Sequence, residues 1–378
     1  MAPQSPPSPF EALEPRRMFA VTGVRDLLYV RVRFSDQAAL PESLATAQAN
    51  VAQSTKWIGE YSGKNVSFRT KLAAVALPRT EAYYKSAGVT RLADDADAAL
   101  RAQGQSLSGV EHVSYRYNGA VGTFGGLGQV NGPRTWIRYS SASIITHELG
   151  HNIGLGHSSF ANPTDNAKPF GASASSEYGD PFSNMGGGGG KDWNAHQKAS
   201  RGWLGGSRTK TVSATTAGTH TFTLASHDDA ATYATTGVYL LKLTLSLTTS
   251  YYVSYRRSPN ALFVHRAPTS NPTGGTLIDA TPSTATASDA GLLFGKTLID
   301  RRGSGAADDI TIRVARDGIN AKVTVTIGAP PAPPATTTTA AATAAQPLTT
   351  APSATTTAAA PAPDSCLGND RAAEPVWA

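Results

Sequence analysis

Between residues 146 and 157 the sequence reads Thr-His-Glu-Leu-Gly-His-Asn-Ile-Gly-Leu-Gly-His, which gathers three imidazoles and one carboxylate into a short stretch. Residues four apart lie on one face of a helix, so His147 and His151 present two imidazoles to a single point, the geometry of two bonds to zinc. Glu148 stands beside them, where its carboxylate reaches a metal-activated water without displacing it. The helix must end at Gly154, because glycine enters the left-handed conformation without a Cβ clash. The turn there swings His157 back as a third ligand. Three neutral imidazoles leave one position open on zinc, which catalysis needs and a structural site lacks. The chemistry expected is hydrolysis: zinc lowers the pKa of its water towards ~7 and polarises a carbonyl, and Glu148 acts as general base. The bland reading is a helix with solvated histidines. His-Glu-x-x-His alone is a short pattern, and Gly154 and His157 at fixed offsets make it far more specific.

The motif resembles that of the metzincin metallopeptidases, whose second mark is a methionine turn beneath the zinc. Tyr178-Gly179-Asp180-Pro181-Phe182-Ser183-Asn184-Met185-Gly186 supplies a candidate, with Met185 among turn-forming residues. Within metzincins the chain is similar to the gametolysin-like peptidases, secreted enzymes that act on matrix and wall glycoproteins. The similarity runs over residues 125–204. It rests on Gly126-Leu127-Gly128, the zinc motif, the Tyr-Gly-Asp and Asn-Met-Gly segment, and Asn194-Ala195-His196 ahead of Gly202-Trp203-Leu204.

The resemblance implies a catalytic domain with a twisted mixed sheet, a zinc helix and a Met-turn, and an extracellular protein or peptide as substrate. Gly126, Leu127, Gly128 and Tyr178 are its candidate substrate-binding residues, with residues 125–139 as an edge strand pairing with the substrate backbone. The chain also departs from the family. Glycines 186–190 follow Met185 where some metzincins carry a tyrosine, which leaves Tyr178 and His196 as candidates for stabilising an oxyanion. Those glycines are read either as a mobile rim of the cleft or as plain loop chemistry. The family usually begins with a prosegment, and residues 1–26 are too short for a folded one. No cysteine precedes the catalytic helix, which excludes latency by a cysteine switch.

Around this motif the hydrophobic pattern specifies the elements that must position it. From Leu27, Val30, Val32 and Phe34 alternate with Tyr29, Arg31 and Arg33, the period of a half-buried strand. Leu44, Val51 and Ile58, joined by Ala47, Trp57 and Tyr61, recur at helical spacing. A strand over 66–77, a helix over 92–103 and a strand over 110–117 follow, and this order indicates α/β layering. After Gly206, Thr- and Val-rich runs at 220–224, 238–247, 251–256, 262–265, 310–314 and 322–327 predict short strands in a β-sandwich-like region. The chain is therefore expected to be α+β overall. Its parts are a disordered leader over 1–26, a zinc peptidase domain over 27–205, a β-rich domain over 206–328 and a disordered Ala/Thr/Pro tail over 329–378.

Composition narrows the function classes. The 378 residues include 33 Lys plus Arg against 27 Asp plus Glu, a net charge of +6 that is scattered along the chain, so nucleic-acid binding gains no support. No apolar run approaches the roughly 20 residues of a bilayer crossing. The single cysteine, Cys366, permits no internal disulfide, so any metal must use His and carboxylate. Residues 1–9 lack the basic and apolar regions of a secretory signal. Residues 11–20 are similar to a short N-terminal motif of exported bacterial proteins, and an extracellular or cell-surface location is the expectation. His112, His220, His227 and His265 have no partner at metal spacing. Asp165 and Asp180 are candidates for a calcium site as well as ordinary turn formers. Tyr251, Tyr252 and Tyr255 offer either an aromatic binding face or core packing. Two other functions stay open: an inactive surface- or matrix-binding protein that uses the β-rich domain, and a zinc amidase acting on a non-peptide amide.

Overall fold

The computed structural model describes residues 21–328 except 166–167, 230–236, 271, 285 and 304–307. The leader over 1–20, the tail over 329–378 and Cys366 lie outside the described residues. The first half of the chain runs β1 (Gly23–Arg33), α1 (Leu44–Tyr61), β2 (Val66–Ala76), α2 (Glu81–Ala102), β3 (His112–Tyr117), β4 (Gly126–Gly128), β5 (Arg134–Ile137), α3 (Ala142–Asn152), β6 (Ser158–Pro163), β7 (Ser173–Ser176) and α4 (Ala195–Ser200). A five-stranded sheet has the order β2-β1-β3-β5-β4. Its first four strands are parallel, and β4 is antiparallel to β5 at the edge.

Helices cover both faces of this sheet, so β1 is buried on both sides instead of half-buried. Tyr29 packs with Val51 and Ile58 of α1 and Leu149 of α3, while Val30 and Val32 pack with Leu92, Ala96 and Leu100 of α2. Parallel strands in a covered sheet read as continuous apolar runs for this reason. β1 starts at Gly23, inside the stretch expected to be leader. α2 starts at Glu81, well before residue 92, and Thr80 caps it by accepting a hydrogen bond from the Tyr83 amide. Gly88 interrupts α2 with φ 86°, which masked its helical period. The expected edge strand over 125–139 is a hairpin of β4 and β5.

The second half contains β8 (Thr209–Ser213), β9 (Gly218–Leu224), β10 (Leu240–Thr244), β11 (Thr249–Arg256), β12 (Ala261–Pro268), β13 (Gly275–Ile278), β14 (Thr297–Asp300), β15 (Ile310–Asp317) and β16 (Asn320–Ile327). They form a seven-stranded sheet, β7-β6-β13-β12-β11-β10-β8, and a four-stranded sheet, β14-β15-β16-β9. Leu241, Val253 and Val264 of the larger sheet share one apolar core with Ile312, Val323 and Val325 of the smaller, a sandwich-like packing. The overall architecture is mixed α+β. Tyr252, on the other face of the larger sheet, packs with Ala195 and Leu204 around α4. Tyr251, Tyr252 and Tyr255 are therefore all core residues, and no aromatic binding face exists there. One sheet crosses the 205/206 boundary: β6, which begins directly after His157, pairs in parallel with β13.

Candidate metal centre

α3 carries the motif and is buried along nearly its whole length. Its first turn is tied to α1, where the Thr146 hydroxyl donates to Ser54 Oγ at 3.0 Å. Its last turn is tied to the β4–β5 hairpin: Asn152 Nδ2 donates to the carbonyls of Gln129 at 3.0 Å and Arg134 at 3.1 Å, and the Asn131 amide donates to His151 O at 2.9 Å. α3 stops at Asn152, and Gly154 takes φ 90°, the left-handed turn its position demands. A Cβ at Gly154 would lie 2.2 Å from Asn131 Oδ1 and 2.3 Å from Arg201 Nη1, so these side-chain ends would have to shift as well.

The turn brings His157 back to the helix. His147, His151 and His157 offer ligand nitrogens that all lie within 4.8 Å of one another, and His157 Nε2 is 3.0 Å from His151 Nε2. Each ring's Nδ1 is engaged elsewhere: His147 with Asn184 O at 2.7 Å, His151 with Leu155 O at 2.8 Å and His157 with Glu177 Oε1 at 2.6 Å. Nδ1–H donation fixes the tautomer and aims each Nε2 lone pair inward. Burial lowers the His147 imidazole to about 3 and that of His151 to about 4, with neighbouring histidines adding to both effects, so these two rings are neutral. Converging lone pairs repel one another unless a cation lies between them. The donor set therefore fits a divalent metal of the kind imidazole holds.

Glu177 is a positioning residue that sequence reading missed, although it directly precedes the Tyr-Gly-Asp segment. Its side chain is 67% exposed, and an exposed pair of this kind contributes about 1 kcal/mol or less. Glu177→Ala is expected to weaken metal binding by no more than about fivefold, read by competition with a chromophoric chelator.

Glu148 is 5% exposed, and burial pushes its carboxyl up to about 8. A cation held by the three histidines would lower it again by attraction. β4 presses directly on this residue. A Cβ at Gly126 would sit 2.4 Å from Glu148 Oε1, and one at Gly128 would sit 2.5 Å from Glu148 O, so the edge strand can approach only as glycine. Leu127, between these two glycines, is 38% exposed. A cavity of about 150 Å³ lies between β4 and the histidines, lined by Gly126, Leu127, Gly128, Glu148 and Tyr178 among others. Tyr178 adopts φ 60°, its ring centroid is 4.0 Å from that of His157, and burial with the nearby Glu177 and Glu148 pushes its hydroxyl up to about 12.

Met185 is fully buried under α3. A Cβ at Gly150 would lie 2.6 Å from its sulfur, so a helix-interior glycine, which costs about 1 kcal/mol against alanine, is what lets the thioether seat against the helix. Asn184 holds this turn to α3 by donating to Ser143 O at 3.1 Å. Asp180 lies 0% exposed in a polar network across the two halves of the chain. It accepts from Ser158 Oγ at 2.7 Å, Asn194 Nδ2 at 2.8 Å, the Phe182 amide at 2.8 Å and His265 Nε2 at 3.1 Å. His265 thus has a buried hydrogen-bond partner, and Asp180 is engaged by this network as a structural acceptor, while Asp165 pairs with Lys168 at 3.1 Å. His196 is buried against Tyr252 and His265, not in the cleft, and so is no oxyanion donor. Glycines 186–190 do not rim the cleft either: Gly188 packs on the Ser183 backbone, and Gly190 lies against Trp57 and accepts from the Tyr61 hydroxyl at 2.5 Å.

A family model described as Peptidase M66 matches residues 96–184, less than a quarter of the chain. The matched segment runs from α2 through β3, the β4–β5 hairpin and α3 to the residue before Met185, and it contains all three histidines and Glu148. The match supports a peptidase, and the histidine cluster gives that peptidase a site able to hold a metal. No curated protein matches the chain. No helix among the described residues is long and apolar enough to cross a membrane.

Proposed function

We propose that this protein is a zinc-dependent endopeptidase of the metzincin type, similar to the gametolysin-like peptidases, acting on extracellular or wall polypeptides. The observation that carries the reading is the convergence of His147, His151 and His157 beside Glu148 in a cavity bounded by an edge strand. His147, His151 and His157 would hold the zinc through Nε2. Bound there, zinc supplies Lewis acidity towards water and a peptide carbonyl.

The protein's own residues do the rest. Glu148, facing the same cavity, takes the proton from the attacking water and returns it to the leaving nitrogen. β4 has β5 on one side only, so its outer edge offers unpaired backbone groups to an extended substrate. Gly126 and Gly128 bring that edge to the general base, and Leu127 contacts substrate side chains on the opposite face. Tyr178 lines the cavity beside His157 and is the hydroxyl available to a developing oxyanion. Met185 packs beneath the ligand helix and keeps its two histidines in register.

Hydrolysis of a denatured protein by the purified chain, with and without a zinc chelator, tests this reading. Cleavage that the chelator abolishes and added zinc restores is the expected result. Folded, zinc-loaded protein that cleaves no polypeptide would favour a binding scaffold, or an amidase if a non-peptide amide panel is cleaved instead.

A further inference from the structure

His157 is the most weakly supported of the three ligands by its own side chain. Its imidazole is 26% exposed, and its Nδ1 partner Glu177 is more exposed still, whereas His147 and His151 lie on a buried helix. What holds His157 is its backbone, and the segment doing so, residues 273–275, comes from the β-rich half. The Gly156 amide donates to Thr273 O at 2.9 Å, and the Gly275 amide donates to His157 O at 3.3 Å. One residue on, the Ser158 amide donates to Met185 O at 2.8 Å. From α4, Gln197 Nε2 donates to Gly156 O at 2.8 Å and Thr273 O at 3.2 Å, clasping both segments. The contact is tight enough to require glycine: a Cβ on Gly274 would stand 2.8 Å from His157 O, and one on Gly275 would stand 2.7 Å from His196 Nε2.

We infer that the segment Thr273-Gly274-Gly275, clasped by Gln197, is a backbone strap that positions the third metal ligand, making the β-rich half part of the metal centre. The inference rests on the metal site of the proposed function and extends it to residues outside the matched segment. A β-rich half that served only to bind other surfaces would need no backbone bonds to residues 156–157.

The test uses the full chain and cobalt(II) as the probe. Affinity is read by competition with a chromophoric chelator, and ligand geometry from the visible d–d spectrum. Gly274→Ala is expected to weaken binding by about tenfold to hundredfold and to change the spectrum, the scale on which metal sites respond when supporting contacts are lost. Gln197→Met, which loses both donations, is expected to shift affinity and spectrum in the same direction. Gly205→Ala serves as control, since its φ is −74° and the nearest atom to an added Cβ is 3.5 Å away. Affinities and spectra of both variants indistinguishable from wild type would overturn the strap. Should Gly274→Ala fail to fold, Gln197→Met alone gives the same two outcomes. Peptide cleavage does not enter the readout. A chain that shows strap-dependent metal binding and cleaves nothing sinks the proposed activity and leaves the strap standing.

Discussion

Glu148→Gln is expected to leave metal binding intact and to lower peptide hydrolysis by about 10²- to 10⁴-fold, the usual cost of losing a general base. Glutamine has nearly the shape of glutamate, so the close contact with Gly126 and Gly128 is retained. The position is 5% exposed, and replacing an ionisable group there by a neutral amide introduces no new buried charge. The three converging imidazoles and their Nδ1 partners at Asn184, Leu155 and Glu177 are untouched. The effect should therefore fall on kcat, with bound metal per chain unchanged. A variant that hydrolyses a denatured protein at the wild-type rate would remove Glu148 from the chemistry. Loss of metal together with activity would give it a ligand-supporting role instead.

Asp180→Asn is expected to destabilise the fold by about 3 kcal/mol at neutral pH, measured by urea unfolding, because it leaves one side of a buried polar network without its charge. In the wild type, Oδ2 accepts from Ser158, Asn194 and His265. An asparagine can turn only one acceptor oxygen to the network, so its amide nitrogen meets either those donors or the Phe182 amide.

The same residue sets a pH dependence. Burial opposes ionisation of Asp180, but hydrogen bonds from His265, Ser158 and Asn194 overcome it and hold the carboxyl well below its ordinary value of 3.8. A group depressed in the folded state stabilises fully above its unfolded pKa and loses that contribution as pH falls towards the folded one. The stability gap between wild type and Asp180→Asn should thus be widest near neutrality and narrow below pH 3.8. A gap that is constant with pH would show that the carboxylate's charge contributes nothing.

Much of the metal site was legible in the sequence because its logic is local. The spacing of His147 and His151 becomes a shared helix face through the pitch of a single element. Gly154 terminates that helix because backbone sterics at one residue permit only glycine to turn there cheaply. Met185 could be singled out by its turn setting, and burial beneath Gly150 followed. The strands and helices of the first half were readable from period, with errors where the period was disturbed. Gly88 hid the first turns of α2, and the double burial of β1 erased the alternation expected of Tyr29 and Val30.

The supporting contacts were not legible, because they join residues that only the chain's path brings together. Asn184 meets His147 across 37 positions, Glu177 meets His157 across 20, and Asp180 meets His265 across 85. Nothing in the period of β12 marks His265 as a partner of Asp180, and nothing local marks Gly274 as lying against His157. The boundary drawn at residue 205 followed a change in composition, whereas β6 leaves His157 and enters a sheet whose other strands lie mostly beyond that point.

By itself, then, the sequence determined which imidazoles would converge and which carboxylate would stand beside them, since helix pitch and glycine's freedom at positive φ act within a dozen residues. The tertiary structure alone decided what holds those side chains in place, because hydrogen bonds, Cβ clearances and burial depend on distances between strands far apart in the chain.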